Sequence, residues 1–286
     1  MAVAASLLSA FLGGLVPVLI KRGAEELPAT LVTCLKFSTA FAFLLVSVGI
    51  FHPEYFQEIT LRALIIAIIT ALIGPVIAWA FYVKAMSSLD VTFVHPIVNS
   101  YPVLSIILDL IFFKIKPQIP ALLGFALIVT GITLIRTTHR RSKEIRALYF
   151  IFPFFTAILW GTTSFLFKIA LLDINPILMS LLRSFFASLF LWIFNLTKLK
   201  TRSFNLPKFH LFKIGLAGLI GDVLGISLYF FAISKAPLYI VLPLTATSPF
   251  WSALMSKIFL KEKITLTRIL GIAGVVSGVI FIVLSR

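Results

Sequence analysis

The sequence has little cysteine and little charge. Its single cysteine, Cys34, excludes a disulfide within the chain. Charged residues make up only 12% of the 286 residues, about half of the fraction usual in a soluble domain. Hydrophobic residues instead make up 60%, and the mean hydropathy is +1.11. Because water could not solvate so much apolar surface, the composition predicts a multi-pass protein of the cell membrane.

Motifs for catalysis and cofactor binding are also absent. The four histidines are scattered along the chain, at His52, His95, His139 and His210. No spacing of His, Cys, Asp or Glu matches a metal site, and no glycine-rich phosphate-binding loop occurs. We therefore predict no cofactor, no metal and no enzymatic activity, and ATP is not the expected energy source.

The chain carries a net charge of +15. Its cations lie mostly in short segments between apolar runs, where they orient a membrane protein and contact anionic lipid headgroups. The predicted partners are therefore a lipid bilayer and a small-molecule substrate, and no nucleic acid.

Ten apolar runs have about the 20 residues that a helix needs to cross a bilayer. They cover approximately residues 2–21, 28–50, 61–86, 91–113, 118–136, 147–168, 176–196, 209–234, 238–260 and 264–285. Since no basic segment precedes the first run, we expect a retained helix rather than a cleaved signal peptide. The predicted fold is an all-α integral membrane protein with ten transmembrane helices.

The two halves of the chain repeat each other at a constant spacing of 147 positions. Glycines, prolines, tyrosines and lysines match at this spacing, for example Gly74 with Gly221 and Lys21 with Lys168. We therefore predict two five-helix domains, residues 1–139 and 140–286. Because five is an odd number, the second domain must enter the membrane from the opposite side, which predicts two inverted repeats.

Two matched runs, residues 91–113 and 238–260, are interrupted by prolines. Such matched, interrupted helices indicate the binding site of a transporter. Each proline frees a backbone carbonyl one turn earlier, and that carbonyl can bind a substrate. The residues of these runs predicted to line the pathway are His95, Pro96, Asn99, Pro102, Pro243, Thr245, Ser248 and Pro249. Because the first run is the more polar, we expect it to contribute more to specificity.

Asp222 lies near the centre of the eighth run, where an ionised carboxylate facing lipid would cost several kcal/mol. It must face a cavity or a cation, or be protonated. A buried carboxyl suits proton coupling, and a structural role satisfied by neighbouring helices is the alternative. Tyr229 follows seven residues later, on the same helical face. Its counterpart in the first half is Tyr82, and Pro75, the counterpart of Asp222, predicts a kink.

Two cations, Lys36 and Arg183, lie about 12 Å into the second and seventh runs. They are either counter-charges for a carboxylate, on the substrate or in the protein, or anchors to backbone carbonyls and headgroups. Trp160 either lines the cavity or packs against lipid or another helix. Asp109 and His95, near helix ends, are interpreted as interfacial residues rather than as ligands.

These features resemble the drug/metabolite transporter superfamily, in its ten-helix branch with two EamA-type domains. Besides the repeat, the resemblance rests on three motifs: Trp160-Gly161 before Lys168, Pro176 before Arg183, and Leu260-Lys261-Glu262-Lys263-Ile264 before Gly271 and Gly278. The first half departs from the pattern, with Gly13, Lys36 and Ile115 in place of Trp, Arg and Glu. The resemblance implies a central cavity lined mainly by helices 1, 3, 4, 6, 8 and 9.

The resemblance also implies export or exchange of small polar metabolites, such as amino acids, or of amphipathic drugs. We therefore expect a secondary transporter that works by alternating access, with proton coupling through Asp222 as a hypothesis. An integral-membrane enzyme acting on lipid-linked substrate and a passive pore are the alternatives. The loop cations favour an outside N-terminus and the resemblance a cytoplasmic one, so orientation stays open, as does the choice between monomer and homodimer.

Overall fold

A computed structural model describes residues 1–21, 27–88, 94, 97–98, 100–114, 116–136, 151–199, 208–260 and 266–284. Every regular element in these ranges is helical and none is a strand, which confirms the all-α prediction for the described chain. We number the main helices in chain order: α1 Ala2–Lys21, α2 Ala29–Phe51, α3 Leu61–Leu72 continued by Ile73–Ala78 and Trp79–Ser88, α4 Tyr101–Phe113, α5 Ile119–Arg136, α6 Ile151–Ala170, α7 Pro176–Leu199, α8 Lys208–Gly218 continued by Leu219–Gly225 and Ile226–Lys235, α9 Leu238–Thr245 and Ser248–Leu260, and α10 Leu266–Leu284.

Seven of these helices, over the residues that the structure describes, are long and apolar enough to cross a bilayer: α1, α2, α3, α6, α7, α8 and α9. The other three contribute shorter apolar stretches, Tyr101–Phe113, Ile119–Leu134 and Ile269–Leu284. Ten crossings therefore stay a prediction, whereas several crossings follow from length and composition alone.

The outer faces of the helices carry large apolar side chains. In α2, for example, Phe43 and Val46 are 50% and 59% exposed, whereas Ala40 and Leu44 of the same helix are buried. Continuous apolar surface of this kind would associate in water. It is suited to contact with lipid.

Two helices contain a π-helical turn at corresponding positions in the two halves. The turn in α3, Ile73–Ala78, contains Pro75, and the turn in α8, Leu219–Gly225, contains Asp222. Proline has no amide hydrogen to donate within a helix, and the wider turn lies at Pro75, where the kink was predicted. Turns of this type change the direction of the side chains that follow, and they are frequent at functional sites.

Helix α9 is interrupted between Thr245 and Ser248. Pro249 cannot donate to the carbonyl four residues earlier, that of Thr245, and its ring clashes with that carbonyl. The amide of Thr247 instead bonds the carbonyl of Leu244 at 3.2 Å. The interruption predicted from the prolines is confirmed here.

The helices pack in pairs around the centre of the molecule. Helix α1 contacts α8 and α9, helix α6 contacts α3 and α4, helix α2 packs against α7, and helix α5 packs against α10. Helices α1 and α6 thus each contact two other helices that line the central cavity described below, and both contribute to its lining.

Helices α5 and α10 approach each other at glycines. A Cβ atom added to Gly124 would lie 2.5 Å from the carbonyl oxygen of Gly278, and one added to Gly131 would lie 2.5 Å from that of Gly271. No side chain can occupy that space, so backbone packs directly on backbone. Small residues at such spacing allow this approach in membrane helices.

We predict that Gly124→Ala destabilises the protein although alanine favours a helix more than glycine does. The new methyl group meets backbone, which cannot move aside, so α5 and α10 must separate. Overpacking of this kind costs roughly 1–3 kcal/mol of unfolding free energy. Unfolding of the purified protein in detergent measures the loss.

The matched control is Gly49→Ala, because a Cβ atom there has nothing within 4 Å. We expect this variant to be neutral or more stable by up to about 1 kcal/mol, from helix propensity alone. Equal stabilities of the two variants would show that the α5–α10 contact does not depend on backbone proximity.

Candidate functional site

A cavity of about 560 Å³ lies at the centre of the helices. Such a volume suits a small organic molecule. The described residues that line it are Ser9, Ala10, Gly13 and Pro17 of α1, Trp79 and Tyr82 of α3, Val98, Tyr101 of α4, Trp160, Thr163, Ser164 and Phe167 of α6, Arg183 of α7, Gly221, Gly225, Ile226 and Tyr229 of α8, and Thr245, Ala246, Ser248 and Pro249 of α9.

One wall of the cavity is aromatic. The ring centroids of Trp79 and Tyr82 lie 5.4 Å apart, and those of Tyr82 and Trp160 lie 5.5 Å apart. The ring of Tyr101 meets Trp160 edge-on, at 6.3 Å and 87°. Rings packed in this way are held in place by one another and present flat apolar faces together with polar edges.

A charged group of three residues lies beside the cavity. The Asp222 carboxylate of α8 is 3.1 Å from Nζ of Lys36 in α2 and 3.7 Å from Nη1 of Arg183 in α7. All three side chains are largely buried, with exposed fractions of 9%, 17% and 14%. The guanidinium of Arg183 also lies 4.8 Å from the centre of the Phe37 ring. One carboxylate is therefore shared by two cations, and this charge triad is positive by one unit.

Glycines bring the lining helices close together. A Cβ atom on Gly161 of α6 would lie 2.7 Å from the carbonyl oxygen of Tyr101, and one on Gly14 of α1 would lie 2.7 Å from that of Ser248. The hydroxyl of Ser105 adds a hydrogen bond of 2.8 Å to the carbonyl of Gly161. These contacts place Tyr101 and Ser248 at the cavity, on α4 and α9.

Residues 1–137 and residues 147–284 each match the EamA-like transporter family. The chain belongs to this family of transporters. The resemblance to the drug/metabolite transporter superfamily is thereby confirmed.

The fold of this EamA-like transporter has also been seen in a crystal structure. That structure, described only as that of a protein, superposes with a TM-score of 0.81 over 99% of this chain and 96% of its own. The two sequences are 14% identical, so the likeness shows the fold alone. No curated protein matches the chain. The family match and the apolar helices together show that this is a multi-pass membrane protein. It lies in lipid and acts on a small-molecule substrate.

The structure places many of the residues singled out in the sequence at the cavity of the EamA-like transporter. Those that line it are Tyr82, Trp160, Arg183, Tyr229, Thr245, Ser248 and Pro249. Pro102 and Pro243 are buried within α4 and α9, and neither is among the lining residues. His95, Pro96 and Asn99 lie outside the described residues. Roles in transport stay predictions for all of them.

The relation between Asp222 and Tyr229 differs from the predicted one. Tyr229 lines the cavity, whereas the carboxylate of Asp222 is directed at Lys36 and Arg183. A regular α-helix would place both residues on one face, but the π-helical turn Leu219–Gly225 changes the angle between them. Of the three environments expected for Asp222, namely a cavity, a cation or protonation, the structure shows a cation, and there are two.

Several lining residues were not predicted from the sequence, notably Trp79, Tyr101, Thr163 and Ser164. A signal existed for some of them, because Trp79 lies one turn before Tyr82, and Thr163 and Ser164 lie one turn after Trp160. Tyr101 had no comparable signal. Its position depends on how α4 packs against α6.

Asp109 is buried within the protein rather than exposed at the helix end. Its side chain is only 1% exposed and forms an ion pair with Lys168 of α6, while its second carboxylate oxygen accepts a 3.0 Å hydrogen bond from the amide of Leu238. Sequence position near the end of α4 had suggested exposure, but the start of α9 covers this end of the helix. Asp109 therefore joins α4, α6 and α9 at a point away from the cavity.

We predict that Asp109→Asn strongly destabilises this EamA-like transporter. The substitution leaves the ammonium of Lys168 buried without a counter-charge, and breaking a buried pair from one side costs roughly 3–5 kcal/mol. Removing the second charge as well, in Asp109→Asn with Lys168→Met, is expected to recover most of that loss. Chemical unfolding in detergent compares the four proteins of the cycle.

The control is Asp173→Asn, which breaks the more exposed ion pair between Asp173 and Arg62. Because solvent screens that pair, we expect a loss under about 1 kcal/mol. Its hydrogen bond to Arg62 holds the pKa of Asp173 below the ordinary value. The small contribution is therefore present at neutral pH and lost as the pH falls through that lowered pKa. A loss in Asp109→Asn no larger than this would contradict the buried-pair argument.

Proposed function

We propose that this protein is a secondary transporter of a small organic metabolite, such as an amino acid or a related polar solute, and that it works by alternating access. The observation that carries the proposal is the central cavity, which is lined from both halves of the chain and has the charge triad beside it. Polar and ionisable groups at the centre of membrane helices mark the pathway of a solute or an ion.

Alternating access in this proposal depends on ten transmembrane helices arranged as two inverted five-helix repeats, residues 1–139 and 140–286. Three observations support it. The family matches the chain twice, the π-helical turns occupy corresponding places in α3 and α8, and the α1–α9 contact has its counterpart in the α6–α4 contact. Inverted repeats allow one half to rock against the other around a fixed site.

The proposed location is the cell membrane, with loop cations in contact with anionic headgroups. The cavity is compatible with export and with exchange. It is also compatible with a transporter that works as a monomer or as a homodimer. An enzyme acting on lipid-linked substrate would need a cluster of ionisable side chains at a membrane interface, whereas the described charge triad lies beside a central cavity. A passive pore would not need two halves that move relative to each other.

Counterflow in proteoliposomes tests the transport proposal. Vesicles loaded with an unlabelled solute are expected to take up the labelled solute faster than empty vesicles do, because a carrier must return its site across the membrane. A mixture of labelled amino acids provides the first set of solutes. Uptake that is independent of the internal solute would indicate a pore, and no uptake of any member of a wide panel of small metabolites would contradict transport.

The hypothesis of proton coupling assigns the proton to Asp222. We expect Asp222→Asn combined with Lys36→Met, which keeps the charge triad at one positive unit, to retain counterflow but to lose accumulation driven by an imposed proton gradient, because the amide cannot bind and release a proton. Asp173→Asn is the matched control, since that carboxylate lies in the more exposed ion pair with Arg62. Gradient-driven accumulation that survives unchanged in this double variant would show that the proton is carried elsewhere or that transport is uncoupled.

A further inference from the structure

The charge on the described lining of the cavity is concentrated on one residue. Among the described residues that line it, Arg183 is the only one with a charged side chain. The remainder of the described lining is aromatic, aliphatic or hydroxyl-bearing. A solute that enters the cavity therefore meets one fixed positive group.

Within the charge triad, the ammonium of Lys36 lies closer to the carboxylate of Asp222 than the guanidinium of Arg183 does, although Oδ2 of Asp222 also has no hydrogen-bond partner among the described residues. Lys36 is 3.1 Å from one carboxylate oxygen of Asp222, a normal contact for an ion pair, whereas Nη1 of Arg183 is 3.7 Å from the other oxygen. Nη1 of Arg183 is buried and has no hydrogen-bond partner within the described part of the chain. Because buried donors are almost always paired, this guanidinium has unused hydrogen-bonding capacity.

The charges also leave Arg183 as the surplus cation. Lys36 and Asp222 neutralise each other, so the charge triad retains one positive unit on a group that lines the cavity. A cation in a lipid-surrounded interior is costly without a counter-charge. A singly charged anion in the cavity would supply it, whereas a doubly charged phosphate would bring one negative unit in excess.

We propose that Arg183 is an anion subsite that binds the carboxylate of the transported solute. This inference rests on the proposed function and narrows its substrate to carboxylic acids. A planar guanidinium can bind a carboxylate through two parallel hydrogen bonds. The hydroxyl of Tyr229 also lines the cavity and can donate to the same group, whereas the hydroxyl of Ser164 donates to the carbonyl of Trp160.

The aromatic wall sets the character of the rest of the solute. Trp79, Tyr82, Tyr101 and Trp160 present ring faces and edges over one side of the cavity. A compact apolar or aromatic body stacks favourably on such rings. The substrate class is thus a monocarboxylate with a body small enough for about 560 Å³.

The test compares probes that differ only in charge. The pairs are 3-phenylpropionate with 3-phenylpropanamide and hexanoate with hexanamide, and 3-phenylpropylamine is added as a cation. Binding to the purified protein is read by thermal stabilisation and by the fluorescence of the cavity tryptophans. We expect each acid to bind roughly 10-fold to 100-fold more tightly than its amide, the range for hydrogen bonds to charged groups, and the amine to bind no better than the amides.

Arg183→Gln is expected to abolish the preference for acids while Lys36 and Asp222 still neutralise each other. Arg183→Lys keeps the charge but not the paired donors, so it is expected to retain part of the preference. The matched control Arg62→Gln removes an arginine from the exposed pair with Asp173 and is expected to leave the preference unchanged. Trp160→Phe is expected to reduce the fluorescence response without reversing the preference.

Three results would overturn the subsite. They are equal binding of acids and amides, an acid preference that survives in a folded Arg183→Gln, and no binding of any acid at millimolar concentration. If Arg183→Gln does not fold, Arg183→Lys provides the test. Full retention of the preference for acids in Arg183→Lys would count against paired hydrogen bonds from the guanidinium.

The proposed function is tested separately. Counterflow of neutral or cationic solutes but not of acids would support the proposed transport function and contradict the anion subsite. Preferential binding of acids without counterflow would support the anion subsite and contradict the proposed transport function.

Discussion

One carboxylate, that of Asp222, holds cations from two different helices in the interior of the protein. Its contacts with Lys36 of α2 and Arg183 of α7 tie α8 to the α2–α7 pair. None of the three charges could face lipid without a cost of several kcal/mol, so both cations depend on the one carboxylate. The position of the charged side of the cavity follows from the carboxylate, since removal of Asp222 would leave two cations unbalanced beside it, whereas removal of either cation leaves a neutral pair.

Close backbone contacts supply the rest of the framework. In lipid, helices gain little from burying apolar side chains, so association relies on packing and on interhelical hydrogen bonds. Gly14 and Gly161 allow α1 to reach α9 and α6 to reach α4, while Gly124 and Gly131 allow α5 to reach α10. Because Gly14 and Gly161 occupy corresponding places in the two halves, similar close contacts bring Ser248 and Tyr101 to the cavity. The different side chains within those contacts make its walls unequal.

The fold was largely predictable, and the site only in part. The positions of the helices were predicted from apolar runs of membrane length, and Pro249 indicated the interruption in α9. Asp222 was predicted to need a partner, but nothing in the spacing of Lys36 and Arg183 indicated that both would reach the same carboxylate. Asp109 was misjudged for a related reason: distance from a helix end is visible in the sequence, whereas the cover that α9 provides is not.

Composition and periodicity alone determined that this chain is an all-helical membrane protein with two similar halves, because lipid requires every backbone polar group in a spanning segment to be bonded within it. The matched prolines and glycines also indicated where helices would be interrupted or would meet. Only the tertiary structure decided which side chains share the cavity. The π-helical turn in α8 directs Asp222 to the cations and leaves Tyr229 at the cavity, and the packing of α4 on α6 places Tyr101 beside Trp160. Such arrangements depend on angles between helices that no single segment specifies.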